Sequence, residues 1–180
     1  MPTAKSLARG TSEASKMVFI LFQVHSGFYT YTNLETIWCY YSENITGDIK
    51  HLINLPNLNI FHLGFTNIYG NISVFSNNTV LKHISVHGTS VSGNVSAFAN
   101  CVNLEELYFA NTQIVGYPYQ FYSSIIGDIS NLARLNKLTD LYIDGQSQVY
   151  GDISVFRNMT GLKRLFVNNT NKPGRDYTIL

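Results

Sequence analysis

Little in this chain is charged. Of its 180 residues only 13 % are Asp, Glu, Lys or Arg, and the formal net charge is +1. Nucleic-acid binding needs a concentrated basic surface to displace counterions, so that class of partner is not expected. Cysteine is scarce too, with only Cys39 and Cys101. Two thiols make no disulfide framework, and the repeat register described below sets them about three coils apart, beyond the reach of an S–S bond. Both are read as small buried apolar residues. Long apolar runs are missing, apart from Met17 to Val24, which is far shorter than the roughly 20 residues of a membrane helix. Lys5, Arg9 and Lys16 precede that run, a pattern shared with signal peptides, but the leader is long and no clean small-residue cleavage site follows. The run is read as a capping strand. With neither a signal peptide nor a membrane span, a cytoplasmic or virion-associated location is favoured over secretion.

What the chain does have is tyrosine (12), phenylalanine (11), abundant asparagine and an apolar content of 45 %. The last of these excludes a disordered chain. Asparagine suits turns better than helices or strands, so many tight corners are expected. The corners repeat. A Gly-Asp/Asn-Ile/Val triplet occurs at Gly47, Gly70, Gly93, Gly127 and Gly151, with spacings of 23, 23, 34 and 24 residues. The long interval is one period plus an insertion. Gly116 stands where the fourth triplet is due, and Tyr117-Pro118-Tyr119-Gln120-Phe121-Tyr122 then delays the motif until Gly127.

Apolar residues keep the same register. One unit reads Leu58, Phe61, Leu63, Thr66, Ile68, Gly70, Ile72, Phe75, and the next reads Leu81, Ile84, Val86, Thr89, Val91, Gly93, Val95, Phe98. A fixed period of this length marks a stacked repeat protein. Each unit implies a strand with one buried face, a corner and a second short strand. A stretch of apolar residues every third position then suits a 3₁₀ turn. The corner threonines Thr66, Thr89, Thr112 and Thr170 are expected to bond neighbouring coils as a ladder. The repeating glycine implies a bend or a close approach that a side chain would block. One coil cannot bury its own apolar side, and stacking about six coils makes a continuous core.

These residues resemble leucine-rich repeats over roughly Leu34 to Asn171. The unit is similar to the plant-type subclass, with Asp-Ile-Ser in place of x-Ile-Pro and threonine in place of the ladder asparagine. The Gly-Asp-Ile-Ser form also resembles repeats of Bacteroidetes-type bacteria and of phages that infect them. The resemblance implies a mainly β solenoid: a right-handed coil with a parallel concave sheet, short second strands and 3₁₀ turns. Residues 1–16 are read as a polar arm and 17–33 as capping strands. Residues 34–180 are read as the solenoid, with the insertion at 117–127.

The resemblance also implies a recognition scaffold without catalysis. No motif for nucleophilic attack, phosphate cradling or zinc is present, so neither enzyme activity nor a cofactor is expected. Side chains between the buried positions of each strand point outward in stacked rows. One row is Trp38, His62, Ser85, Tyr108, Tyr142 and Phe166. A second is Ile60, His83, Glu106, Asp140 and Arg164, and a third is Tyr40, Gly64, His87, Ala110, Asp144 and Asn168. At about 4.8 Å per strand the surface is roughly 25 Å across. Exposed aromatic residues are binding anchors, although cross-strand rings also stabilise a sheet. With Glu106, Asp140 and Asp144 beside them, they suit a protein or a carbohydrate ligand. Tyr117, Tyr119, Phe121 and Tyr122 in the insertion form a second candidate surface. His83 and His87 are roughly 13 Å apart along one strand, too far to share a zinc at about 2 Å from each, so no metal is expected.

Six Asn-x-Ser/Thr sequons are present, at Asn44, Asn71, Asn77, Asn94, Asn158 and Asn168. Asn71 and Asn94 occupy the place held elsewhere by Asp48, Asp128 and Asp152, which points to a turn role and not to glycosylation. The last coil lacks a closing turn, so it is expected to be covered either by Tyr177 to Leu180 or by another subunit in an end-to-end or assembly contact. The expected function is a recognition module binding through the concave face. The alternative is a structural or accessory subunit of a phage virion or other large assembly.

Overall fold

The computed structural model describes residues 6–7, 33–42, 44–110 and 124–167. Within them the chain winds through strands β1 (Ser6–Leu7), β2 (Thr36–Trp38), β3 (Thr46–Asp48), β4 (Ile60–His62), β5 (Asn67–Asn71), β6 (His83–Ser85) and β7 (Ser90–Asn94). It continues through β8 (Glu106–Tyr108), β9 (Ser124–Asp128), β10 (Asp140–Tyr142), β11 (Gln148–Tyr150) and β12 (Arg164–Phe166). Two parallel sheets result, a seven-stranded one ordered β1-β2-β4-β6-β8-β10-β12 and a five-stranded one ordered β3-β5-β7-β9-β11. Each of the five coils that begin at β2, β4, β6, β8 and β10 places one strand in each sheet and closes through a 3₁₀ turn, as at Ile72–Phe75 and Val95–Phe98. The mainly β solenoid expected from the period is therefore the fold observed.

Alternation makes the sheets. In the large sheet the middle residue of each strand turns inward. Ile37, Phe61, Ile84, Leu107 and Leu141 are fully buried, and their flanking residues face outward. A spine of phenylalanines runs through the stack, with ring centroids 5.4 Å apart for Phe61–Phe75, 6.3 Å for Phe75–Phe98 and 6.0 Å for Phe98–Phe109. Burying each such ring contributes on the order of 2–3 kcal/mol. The two cysteines are buried and free, as expected.

The triplet motif has a mechanical reading. At Gly93 φ is +132°, and a Cβ there would lie 2.6 Å from Asn71 Oδ1 and 2.7 Å from Ile72 Cγ1 of the preceding coil. Only glycine permits both that backbone and that approach. The next residue caps the 3₁₀ turn. Asp48, Asn71, Asn94, Asp128 and Asp152 each accept from the backbone N–H two residues on, at 2.8–2.9 Å. Only a side-chain oxygen is used, which explains why Asp and Asn interchange.

The threonine ladder is corrected. Thr66 Oγ1 donates to Leu63 O at 2.7 Å and Thr89 Oγ1 donates to Val86 O, both within their own coil. A buried hydroxyl at the corner is closer to the carbonyl three residues back than to the adjacent coil. Gln146, at the same position two repeats after Thr89, has the length to cross. Its Nε2 donates to Phe109 O at 2.6 Å, and its Oε1 accepts from Ile125 N at 3.1 Å. Thr112 and Thr170 lie outside the described residues. Ser124–Asp128, at the end of the expected insertion, pairs with β7 and resumes the repeat. Among the described residues no helix is long and apolar enough to cross a membrane.

Candidate functional site

Strand register assembles the outward face of the large sheet. Trp38 pairs with His62, His62 with Ser85, Ser85 with Tyr108, Tyr108 with Tyr142 and Tyr142 with Phe166, so the expected aromatic row exists in that order. It divides into two blocks. Trp38 packs on His62 at 4.8 Å with a 55° tilt. Tyr108, Tyr142 and Phe166 form a stack with centroids 4.5 and 4.4 Å apart. Ser85 between them is small, and the face sinks there into an open cavity of about 530 Å³. Trp38, Tyr40, Tyr41, His62, Ser85, Glu106 and Tyr108 line it. That volume lies within the ordinary range of ligand pockets.

The far wall of the cavity is a polar clasp. Tyr40 Oη lies 2.6 Å from His87 Nε2, and Ser85 Oγ lies 2.8 Å from His87 Nδ1. A neutral imidazole offers one donor and one acceptor, which the two hydroxyls can complement. Gly64 makes the clasp possible, since a Cβ there would meet the Tyr40 ring at 2.9 Å and the His87 ring at 3.0 Å. Burial pushes His87 down to about 4. Burial also pushes His62 down to about 4, helped by the positive charges that His83 and His87 would carry. Both rings are therefore neutral at pH 7. Burial raises the Tyr108 hydroxyl, and Glu106 and Asp140 add to the effect, so it stays a hydrogen-bond donor.

The carboxylates differ from one another. Asp140 is only 2 % exposed. Its Oδ2 accepts from Thr139 Oγ1 at 2.6 Å, and its Oδ1 accepts from Arg164 Nε. Burial opposes its charge, but the bonds from Arg164 and Thr139 prevail and its pKa is lowered. It braces β10 against β12. Asp144 is raised by burial, and its Oδ1 is buried without a hydrogen-bond partner. Glu106 lines the cavity, with Oε2 3.4 Å from His83 Nδ1.

Of the residues singled out from the sequence, Trp38, Tyr40, His62, Glu106 and Tyr108 meet around one cavity, and Tyr142 and Phe166 continue the ring stack beyond Tyr108. Asp140 and Asp144 do not reach it. Tyr117, Tyr119, Phe121 and Tyr122 lie outside the described residues, as do Tyr177 to Leu180. Sequence reasoning missed Tyr41. It stands where later coils have Gly88 and Gly145, and like them it has positive φ, 52° against 61° and 76°. Phe65 shares the position with φ 55°, and the two rings stack at 4.6 Å. The signal was available in the alignment: bulky residues in register with glycines.

No protein-family model matches the chain, and no curated protein sequence does. Solved structures do match. Internalin C2 from Listeria monocytogenes aligns with a TM-score of 0.57 at 22 % identity, over 76 % of this chain and 53 % of that one. An internalin InlF from the same species aligns with 0.58 at 26 %, over 79 % and 36 %. The plant peptide hormone receptor RGFR1, in complex with RGF2, aligns with 0.61 at 23 %, over 78 % and 21 %. The chain thus spans about half or less of the length of these proteins. What it shares with them is the leucine-rich-repeat fold.

Proposed function

We propose that this chain is a recognition module that binds a protein or peptide on the outward, concave face of its large sheet. The cavity between the Trp38–His62 pair and the Tyr108–Tyr142–Phe166 stack carries this reading. It places rigid aromatic walls, a neutral histidine and a carboxylate around one space. Buried aromatic anchors with few converging polar groups are the chemistry of binding hot spots. The similar structures include the Arabidopsis receptor kinase HAESA ectodomain in complex with a peptide hormone ligand, and a strand-wide groove suits an extended chain. Stacked rings beside Glu106 also suit a sugar, so a glycan is the alternative ligand.

The test begins with peptides selected from a display library on the full chain, alongside a glycan array. Changing Trp38, Tyr108 and Tyr142 to Ala is expected to weaken the selected ligands at least 100-fold while circular dichroism stays unchanged. Equal binding by the triple variant would refute the assignment of the face.

A further inference from the structure

The sheet brings together three metal-ligating side chains, one from the aromatic row and two from the row beside it. His62 on β4, His83 on β6 and Glu106 on β8 come from three successive strands. His83 and Glu106 are direct neighbours across β6 and β8, while His62 reaches them diagonally from the adjoining row. Each offers a nitrogen or oxygen ligand atom, and all three atoms lie within 4.8 Å of one another. Ligands at about 2.0–2.2 Å from a tetrahedral ion are roughly 3.4 Å apart. The cluster therefore needs only a small contraction, through side-chain torsions, to close on an ion.

A second, independent observation points the same way. His62 Nε2 is shielded from solvent and has no hydrogen-bond partner. A buried imidazole nitrogen left unpaired is costly and calls for a ligand. On the other side of the cluster, His83 has Glu106 Oε2 3.4 Å from Nδ1 and Glu105 Oε2 3.9 Å from Nε2.

We propose that His62, His83 and Glu106 form a three-ligand site for a divalent transition metal, zinc foremost, with its remaining position open to the cavity. Two imidazoles and one carboxylate favour zinc and its neighbours over magnesium or calcium, which take oxygen ligands. His62 and Glu106 both line the cavity, so an ion bound there faces whatever occupies it. The site does not rest on the recognition reading, since zinc alone is the probe.

The test is calorimetric titration of the untagged full chain with zinc chloride at pH 7.5, with magnesium chloride as comparison. One equivalent of zinc is expected to bind and magnesium none. Glu106→Gln and His83→Asn, both at half-buried surface positions, are each expected to weaken zinc at least tenfold with an unchanged melting curve. His51→Asn, remote from the cluster on a 3₁₀ turn, is expected to change nothing. Absence of zinc binding, or wild-type affinity in the Glu106→Gln/His83→Asn double variant, would overturn the site and leave His83–Glu106 as a simple ion pair. Either result leaves peptide binding on the aromatic face to be judged by its own experiment.

Discussion

Asn94 shows how one atom fixes a residue's identity. Its Oδ1 accepts from Ser96 N at 2.9 Å and caps the turn Val95–Phe98. Asn94→Asp keeps that acceptor and is expected to leave stability unchanged. Asn94→Ala removes it and is expected to cost about 1 kcal/mol, read as a lower urea midpoint with unchanged slope. His87 is the residue-scale pH sensor. Its neighbours in the fold are Tyr40, Ser85 and the Phe65 ring. Its folded pKa of about 4 is below the unfolded value near 6.5. The unfolded chain therefore binds the extra proton first. The stabilising contribution of neutral His87 is complete above pH 6.5 and lost as pH falls toward 4, with a slope of at most about 1.4 kcal/mol per pH unit. Denaturation midpoints of wild type and His87→Gln between pH 7 and 4 check this. The variant's curve is expected to be the flatter one, and parallel curves would contradict it.

At the scale of the strand and the corner, the buried positions and the outward rows were legible because a parallel stack repeats one geometry at a fixed interval. A residue's place in the alignment is then its place in space. That logic located Trp38, His62, Ser85, Tyr108, Tyr142 and Phe166 on one line. It failed where side-chain length decides the partner. Threonine at the corner is too short to cross between coils, while Gln146 in its place bonds both Phe109 O and Ile125 N. Gln146→Leu leaves a buried carbonyl and a buried N–H unpaired, and is expected to cost roughly 1–3 kcal/mol for each, measured by chemical denaturation. It failed again for Asp140, whose row neighbour Arg164 covers it. The diagonal meeting of His62 with His83 and Glu106 was missed because the comparison ran along one strand and not across three. Tyr41 and Phe65 occupy a left-handed corner that other coils give to glycine. Such strain persists only where surrounding packing holds it, and here the stacked rings and the Tyr40 ring do so.

Over the whole molecule, stability is a sum of coil-to-coil contacts, so a substitution's cost follows its depth in the stack. Leu107, fully buried between two flanking coils, is expected to cost about 2–5 kcal/mol on change to Ala. Leu165 on the outermost described strand is only partly buried, and its change to Ala is expected to cost clearly less. Two aromatic surfaces compete for the role of working face at this scale. One is the lined cavity of the large sheet. The other is the small sheet, where Tyr69 and Tyr150 are about half exposed. The cavity adds polar groups, Glu106, Ser85 and His62, that converge on one space. Hydrogen–deuterium exchange of the full chain, with and without a peptide selected on it, separates them. The account predicts slowed exchange at residues 38–41, 62–65, 85–88 and 106–109 and no change around 69 and 150. Protection confined to the small sheet would contradict it.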